Sequence, residues 1–288
     1  MSLMKEYKGE ALVSWRADLH CHTTCSDGTM RPSQLIEHAH ILGLKGLSIT
    51  DHDSIEAYKE AAITAKLYNV LFLPGIELST THKGMNIHLL GYSFSPDNST
   101  ILALCEKHAK WRYERAAAIV AKLNQLGIAL SMEDVGGSSI GRPHIALALI
   151  KKGAASSVAE AFALYLAEGR PAYIPHVGIT VEEALTAIHI ARGVAVLAHP
   201  HLIRSNKIAN DLLSMPFDGI ECYYARFPAH SNARWLVTAA KRGLLITGGS
   251  DFHGDIKPNN PLGSSWVDEK HFMALWSHYN SQVRREDG

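Results

Sequence analysis

The sequence predicts an α/β barrel with helices outside it and a helical subdomain inserted into it. Short apolar runs alternate with helix-like segments in the first and last parts of the 288-residue chain. The segment between these parts is almost entirely helical in pattern. Side chains that bind metal ions follow several of the apolar runs, and barrels of this class carry their active sites at the carboxyl ends of the strands.

The first part of the chain predicts four strands and two helices. Asp18 and His20 alternate with apolar residues, which places them on one face of the first strand. Pro32 and Gly43 mark the two ends of the first helix, and Ser54 is the expected N-cap of the second. We therefore expect strands at 16–20, 44–50, 70–78 and 85–92, and helices at 29–42 and 54–68.

Residues 96–174 form the predicted insertion. A long helix from 99 to 126 ends at Gly127, and further helices are expected at 145–152 and 157–168. Because no strand alternates with these helices, we expect a helical subdomain placed between two parts of one barrel. The barrel parts are residues 16–95 and 175–288.

Strand–helix alternation returns after the insertion. Thr180 and Glu183 form a capping-box pattern that starts a helix at 180–191, and Gly243 closes a helix at 233–242. Strands are expected at 194–198, 217–224 and 244–248. The count is then seven strands, mostly separated by helices, which fits a parallel barrel.

Composition and charge exclude several classes of protein. The 28 Lys and Arg residues balance 28 Asp and Glu residues, which argues against binding long duplex nucleic acid through a basic face. A small phosphorylated ligand, held by a few cations, remains compatible. No apolar run approaches the ~20 residues that span a bilayer, and the four cysteines form no CxxC pair. We therefore expect a cytoplasmic protein without a membrane partner, whose oligomeric state the sequence does not define.

Potential metal ligands stand at the ends of separate apolar runs. These residues are His20, His22, Asp27, His52, Glu77, His88, His199, Asp251 and His253. Any one of them alone, such as His88, could be an ordinary polar residue at a strand end, but coincidence would have to recur on strand after strand. Nine ligands are too many for one ion and suit two or three, with Glu77 as the bridging carboxylate. Metals ~3.5–4 Å apart can hold a hydroxide between them and bind both oxygens of a displaced phosphate ester.

The chain resembles the polymerase and histidinol phosphatase (PHP) superfamily in a set of short motifs. These are Asp18-Leu19-His20-Cys21-His22, Ser26-Asp27-Gly28, Thr50-Asp51-His52-Asp53, Pro74-Gly75-Ile76-Glu77, Ala198-His199-Pro200 and Gly249-Ser250-Asp251-Phe252-His253. The motifs occur in the family's order over residues 16–95 and 180–255. The resemblance implies a distorted (β/α)7 barrel of the PHP type.

The resemblance also implies a trinuclear metal site. Its ligand sets would be His20, His22, Glu77 and Asp251; Glu77, His88 and His199; and Asp27, His52 and His253. Some family members carry His where this chain has Asp27, so two or three divalent ions of Mn, Zn or Fe are implied. The nucleophile would be a metal-bound hydroxide held by Glu77 and its neighbours.

The insertion carries a second, narrower resemblance. Residues 141–146, preceded by a helix with Arg112 and Arg115, resemble a PHP branch that dephosphorylates nucleoside 3′,5′-bisphosphates and trims short RNA from its 5′ end. This implies that the insertion caps the metal rim and that Arg142 and His144 contact a substrate phosphate. The alternative for Arg142 and His144 is helix-start chemistry, and a solvated helix face is expected for Arg112 and Arg115.

Other polar residues near the rim have weaker assignments. His201 and His230 are candidate acids for the leaving group, and Arg226 is a candidate phosphate contact. Asp18, Asp51 and Asp53 are expected to orient ligand histidines.

Taken with the resemblance, these residues favour a metal-dependent phosphoesterase acting on a small nucleotide such as 3′-phosphoadenosine 5′-phosphate. The alternative enzyme is a 5′→3′ exonuclease on short RNA or DNA. An alternative from another class is a non-catalytic PHP module that serves a partner protein. Histidinol phosphate phosphatase is disfavoured by the long insertion, and amide hydrolysis is disfavoured because no Lys ends a predicted strand.

Overall fold

A computed structural model of residues 15–137 and 139–286 shows a nearly closed, barrel-shaped sheet with helices around it. The sheet follows the order β1-β2-β3-β4-β6-β7-β8, and the short strand β5 pairs with β3 off this path. The strands are β1 (Ala17–Cys21), β2 (Gly46–Ile49), β3 (Leu71–His82), β4 (Met85–Tyr92), β5 (Ile179–Thr180), β6 (Val194–Leu197), β7 (Gly219–Tyr224) and β8 (Leu245–Gly249). The predicted α/β barrel is thus confirmed.

Ten α-helices accompany these strands in the described part of the chain. They are α1 (Pro32–Ile41), α2 (Ala57–Tyr68), α3 (Ser99–Gln125), α4 (Met132–Val135), α5 (Arg142–Lys151), α6 (Val158–Ala161), α7 (Val181–Ile190), α8 (Asn206–Leu213), α9 (Ala233–Arg242) and α10 (Glu269–Glu286). A π-helical turn, Phe162–Leu166, continues α6, and 3-10 turns cover Pro200–Leu202, Ala229–Asn232 and Gly254–Ile256. None of the helices in the described ranges is long and apolar enough to span a membrane.

The sheet closes between its first and last strands. The His22 amide donates to the Phe252 carbonyl, and the Asp251 amide donates to the His20 carbonyl, both at 2.8 Å. These bonds join β1 to the segment that follows β8. Closure therefore brings the ligand-bearing end of the first strand next to that of the last.

Strand β4 departs from the predicted parallel arrangement. It runs antiparallel to both β3 and β6, because a two-residue hairpin at Lys83 and Gly84, with φ of 49° and 77°, connects it to β3. His88 consequently lies in the middle of β4, opposite Ser79, and not at a strand end as expected. Its alternation along the strand still directs it to the same face as the other ligands.

Most predicted helices have the expected bounds. The long helix α3 and the capping box of α7, in which the Thr180 hydroxyl accepts from the Glu183 amide, are both confirmed. Ser54 is not the N-cap of α2, which begins at Ala57, and its hydroxyl instead accepts from the Glu56 amide at 3.3 Å. Helix α10 was not expected from the sequence.

The hydrophobic core is divided between the barrel and the helical segment. Ile101 and Leu104, in the first turns of α3, belong to the cluster around β3, β4 and α7. Further along α3, Ile119 and Leu123 belong to a separate cluster with α5 and the following turns. Helix α3 therefore carries one end in the barrel core and the other in the helical segment.

Candidate metal centre and the adjoining pocket

The structure brings all nine predicted metal ligands together at one end of the barrel. Each has a ring nitrogen or carboxylate oxygen within 4 Å of a ligand-type atom of another member. Eight of them are buried, and His88 is partly exposed, with 30% of its side chain accessible. Groups that could hold an ion are His20, His22, Glu77 and Asp251; His22, Asp27, His52 and His253; and His52, Glu77 and His88.

Glu77 lies at the centre of this cluster, and its two carboxylate oxygens contact different histidines. Its Oε2 is 3.2 Å from His20 Nε2 and 3.1 Å from His22 Nε2. Its Oε1 is 2.7 Å from His88 Nδ1 and 2.9 Å from His199 Nε2. One carboxylate thus faces two sets of imidazoles, as a bridging ligand must.

Asp251 presents one oxygen to the cluster because its other oxygen is held from behind. The Tyr224 hydroxyl and the Lys257 ammonium donate to Oδ2 at 2.9 and 2.8 Å. Oδ1 lies 3.5 Å from His20 Nε2 and 3.4 Å from His22 Nε2. The backbone of Asp251 has φ of 54°, a costly conformation for a non-glycine residue that recurs at functional sites.

The loop after β1 places Asp27 beside three histidines. Its carboxylate lies 3.3 Å from His253 Nε2, 3.7 Å from His22 Nδ1 and 3.8 Å from His52 Nε2. Gly28 allows this close loop, because a Cβ there would lie 2.4 Å from the His22 carbonyl oxygen. In the Ser-Asp-Gly motif, Asp27 therefore supplies a candidate ligand, and Gly28 allows the close backbone approach of the loop.

The arrangement of the ligand atoms is better explained by a bound cation than by hydrogen bonds between the ligands. Buried atoms with no hydrogen-bond partner among the described residues include His20 Nε2, His22 Nε2, His52 Nδ1, His253 Nε2, Asp27 Oδ1 and Glu77 Oε2. Two ligand atoms bound at ~2.1 Å to one ion lie roughly 3.0–3.4 Å apart, which is the spacing observed around Glu77 Oε2. Buried polar atoms are normally satisfied, so this set indicates a site for divalent metal.

Burial and the close contacts between carboxylates and imidazoles set the ionisation of the cluster. Burial raises the pKa of Glu77 and of Asp27, but the neighbouring histidines outweigh it and hold both pKa values well below their usual range. Burial lowers the pKa of His52 and His253, so these imidazoles stay neutral and available as ligands. Neighbouring carboxylates outweigh burial and raise the pKa of His22 to about 9 and the pKa of His20 well above its usual range, so a bound metal would have to displace these protons.

Glu221 on β7 orients two of the ligands. Its Oε1 is 2.8 Å from His20 Nδ1, and its Oε2 accepts from the His199 amide at 2.6 Å. A carboxylate on the far nitrogen fixes the tautomer of a ligand imidazole. The sequence placed Glu221 on a strand, but nothing in its spacing assigned it this role.

The three aspartates expected to orient ligand rings do not contact those rings by hydrogen bonds. Asp18 accepts from the Ser250, His20 and Gly263 amides, and Asp51 accepts from Thr23 and Ser26. Asp53 binds Arg112 and the Ser79 amide instead. These carboxylates therefore fix the backbone and the loops that carry the ligands.

A pocket of about 150 Å³ adjoins the ligand cluster and is lined by arginines of helices α3 and α5. Asp27, His52 and His88 contribute to its wall beside Arg112, Arg115 and Arg142. The expectation of a solvated face for Arg112 and Arg115 is wrong. Arg112 donates to Asp53 at 2.7 and 2.5 Å, and Arg115 donates to the Ile174 carbonyl at 3.0 and 2.8 Å.

The predicted phosphate contacts of the insertion lie in or beside this pocket. Arg142 lines it, donates to the Leu166 carbonyl at 3.2 Å and lies 5.4 Å from the Phe162 ring. The His144 ring accepts a hydrogen bond from the Gly141 amide at 3.0 Å and interacts electrostatically with the Asp27 carboxylate. Burial lowers the pKa of His144, so the ring is neutral at neutral pH.

His176 also lines the pocket, and the sequence contained no signal for it. It lies in a loop, outside any motif or strand end. Its Nε2 is 3.5 Å from the Ser79 carbonyl oxygen, and burial lowers its pKa to about 4. Only the fold brings this residue to the arginines.

The remaining predicted site residues lie elsewhere on the rim. His201 Nε2 is 3.1 Å from the Asn232 side-chain oxygen, and its ring packs near Tyr224 and Trp235. His230 is exposed on the 3-10 turn before α9. Arg226 is exposed and lines a different cleft.

Comparison with known proteins identifies related chains over most of this length. A family model described as the PHP domain matches residues 18–168. The chain is 32% identical to a 5′-3′ exoribonuclease of Haemophilus influenzae, over 82% of this chain and 89% of the relative. It is 30% identical to a 3′,5′-nucleoside bisphosphate phosphatase of Chromobacterium violaceum, over 93% of this chain and 98% of the relative.

A solved structure from Bifidobacterium adolescentis, assigned as a metal-dependent phosphoesterase, has the same fold. It superposes with a TM-score of 0.84 at 32% identity, over 91% of this chain and 96% of the other. The two sequence relatives and this solved structure therefore each match more than four fifths of the chain.

Proposed function

The chain belongs to the PHP domain family and is a metal-dependent phosphoesterase, and we propose that its substrate is a nucleoside 3′,5′-bisphosphate such as 3′-phosphoadenosine 5′-phosphate. The observation that carries this proposal is the adjacency of a cluster of candidate metal ligands and a pocket lined by three arginines. The metal-ligand cluster and the arginine pocket share Asp27, His52 and His88 as a common wall. A small molecule with two phosphates can occupy both regions at once.

The arginine pocket provides the second phosphate site in this proposal. Three guanidinium groups line a cavity that has the volume of about five waters, which suits a phosphate-sized group. Arginine binds phosphate through paired, charge-assisted hydrogen bonds. Asp53 neutralises part of the charge of Arg112, so Arg115 and Arg142 supply the remaining positive charge for the ligand.

In this proposal the ligand cluster would hold the ions beside which the hydrolysed phosphate binds. We propose two or three divalent ions of Mn, Zn or Fe, held by the nine clustered ligands with Glu77 between the sets. When bound, such ions would supply positive charge to the phosphoryl oxygens and would make water a better nucleophile at neutral pH. Glu221 and Lys257 keep His20 and Asp251 in position for that role.

Hydrolysis then breaks the bond between phosphorus and the 3′ oxygen. A water oxygen forms the new bond to phosphorus, and the 3′ oxygen leaves with a proton as the nucleoside 5′-phosphate. His201 and His230 remain the candidate donors of that proton. His201 is the better placed, since it follows the ligand His199 by two residues and its buried Nδ1 has no partner among the described residues.

The second candidate function is 5′→3′ removal of nucleotides from short RNA or DNA. The Haemophilus influenzae relative carries that name, and the reaction breaks the same type of bond, between phosphorus and a 3′ oxygen. A role as a non-catalytic module is disfavoured, because the nine candidate ligands lie clustered at one end of the barrel.

The test is phosphate or nucleotide release with Mn²⁺ from four substrates. These are adenosine 3′,5′-bisphosphate, adenosine monophosphate, histidinol phosphate and a 5′-phosphorylated oligoadenylate. We expect the highest kcat/KM on the bisphosphate and its loss in Glu77→Gln, which keeps the side-chain shape but loses the charge. Equal turnover of the monophosphate and the bisphosphate, or full activity in Glu77→Gln, would contradict the proposal.

A further inference from the structure

A second and larger cleft lies between the helical segment and the barrel rim. Leu147, Ile150 and Val158, from α5 and α6, form one wall, and Tyr224, Arg226 and Lys257 contribute to the other. Its volume is about 850 Å³, against about 150 Å³ for the arginine pocket. Clefts of roughly 300–1,000 Å³ hold ligands of the size of a nucleotide or larger.

This cleft lies behind Asp251, on a different side of the metal centre from the arginine pocket. Two of its lining residues, Tyr224 and Lys257, donate to Asp251 Oδ2 at 2.9 and 2.8 Å. The arginine pocket instead touches the cluster through Asp27, His52 and His88, and neither Asp251 nor Lys257 lines it. The metal centre therefore lies between two separate cavities.

The chemistry of the proposed substrates requires space on both sides of the reacting phosphate. In a nucleoside bisphosphate the 3′ phosphate has only free oxygens besides its link to the sugar. In an oligonucleotide one of those oxygens carries the next nucleotide, which must extend away from the first. The arginine pocket has the volume of about five waters and cannot hold that nucleotide as well.

The walls of the larger cleft suit a single strand. Arg226 is exposed and 39% of the Lys257 side chain is accessible, while Asp255 is the acidic residue of the lining. Leu147 is 41% exposed although it is apolar, and with Ile150 and Val158 it offers a surface for the face of a base. Proteins that bind single strands without sequence preference combine a positively charged groove with side chains, usually aromatic, that pack on the bases. In this cleft the exposed apolar side chains beside the cations are aliphatic.

We propose that this cleft binds the nucleotide on the 3′ side of the scissile phosphate in a single-stranded oligonucleotide. The inference rests on the proposed function, because it needs the metal centre to hydrolyse a phosphate attached to a 3′ oxygen. It assigns the two activities to one centre: the arginine pocket serves both substrates, and the cleft serves the longer one alone.

The test compares two substrates in two cleft variants. The kcat/KM values for adenosine 3′,5′-bisphosphate and for a 5′-phosphorylated pentaadenylate are measured with Mn²⁺ for wild type, Leu147→Glu and Arg226→Glu. We expect the ratio of oligonucleotide to bisphosphate kcat/KM to fall about tenfold in each variant. Lys66→Glu, on the exposed face of α2, is the control for the change of charge and should leave the ratio at its wild-type value.

A binding measurement separates failure of this inference from failure of the proposed function. Fluorescence anisotropy reports binding of a labelled pentaadenylate with phosphorothioate links, which resist hydrolysis. Weaker binding in both cleft variants than in Lys66→Glu supports the cleft even if the bisphosphate is not turned over. Unchanged binding together with an unchanged kcat/KM ratio overturns the cleft assignment, whatever the bisphosphate activity is.

Discussion

Arg112 of helix α3 binds Asp53 through two nitrogens, with Nε and Nη2 lying 2.7 and 2.5 Å from Oδ2. Asp53 directly follows the ligand His52, and its Oδ1 accepts from the Ser79 amide at 2.7 Å on the strand that carries Glu77. The pair therefore fastens the helical segment to the wall of the metal centre. It also fixes the direction of an arginine that lines the arginine pocket.

Asp53→Asn should weaken this attachment. Burial raises the pKa of Asp53, but Arg112 and His108 outweigh it and bring the pKa to about 2, so the charge is present at neutral pH. Because the pair is mostly buried, we expect a loss of about 3 kcal/mol in the free energy of unfolding. KM for the bisphosphate should rise more than kcat falls.

Denaturant unfolding and steady-state kinetics measure these two effects. Arg31→Gln is the matched control, since Arg31 pairs with Glu60 at the surface, with 67% of its side chain exposed, and should change stability by less than about 1 kcal/mol. If Asp53→Asn and Arg31→Gln had the same effect, the pair would have no special role in fastening the helical segment.

Arg142→Ala should impair the bisphosphate selectively. A charge-assisted hydrogen bond contributes about 1.5–3 kcal/mol, so kcat/KM for adenosine 3′,5′-bisphosphate should fall roughly 10- to 150-fold. Hydrolysis of a simple phosphomonoester should change little, because it lacks the second phosphate. Arg170→Ala, an exposed arginine of the same insertion, should leave both values near wild type. A parallel loss on both substrates would argue against Arg142 as the second phosphate contact.

The ligand set could be predicted from the sequence because strand ends in a barrel converge. His20, Glu77 and Asp251 follow or lie in separate apolar runs, and closure of the sheet brings an oxygen of each carboxylate within 3.5 Å of His20 Nε2. Residue type and position along a strand were sufficient for this inference. The antiparallel direction of β4 did not affect the prediction for His88. Side chains alternate along a strand in either direction, so His88 still lies on the sheet face that carries the other ligands.

The residues around the ligands could not be predicted in this way. Arg112 lies on a helix whose pattern is compatible with a solvated face, and only the packing of α3 against Asp53 buries it. Glu221 and His176 act through partners more than 90 residues away in sequence, namely His20 and Ser79. Such contacts between distant residues depend on the tertiary fold and produce no recognisable spacing of residues in the local sequence.

Glu221→Gln should lower metal affinity without removing a metal ligand. The carboxylate lies 2.8 Å from His20 Nδ1 and favours the tautomer whose proton is on that nitrogen. Without this charge, His20 should hold less firmly the tautomer and ring orientation that direct Nε2 toward the metal. Partners of this kind change metal affinity about 10- to 100-fold. Mn²⁺ titration of the metal-free protein measures the change, and added Mn²⁺ should restore much of kcat. Unchanged Mn²⁺ affinity would show that Glu221 has only a packing role.

His176 should make the folded protein less stable in mild acid. Burial lowers its pKa to about 4, against about 6.5 in an unfolded chain, so between these values the unfolded state binds more protons. Stability due to this group is fully present above about pH 6.5 and is lost as pH falls toward 4, with a slope below about 1.4 kcal/mol per pH unit. Unfolding free energies at pH 7 and pH 4.5 should therefore differ less in His176→Gln than in wild type. His40→Gln, on the exposed side of α1, serves as the control, and a wild-type slope in His176→Gln would show that this imidazole is not held neutral by the pocket.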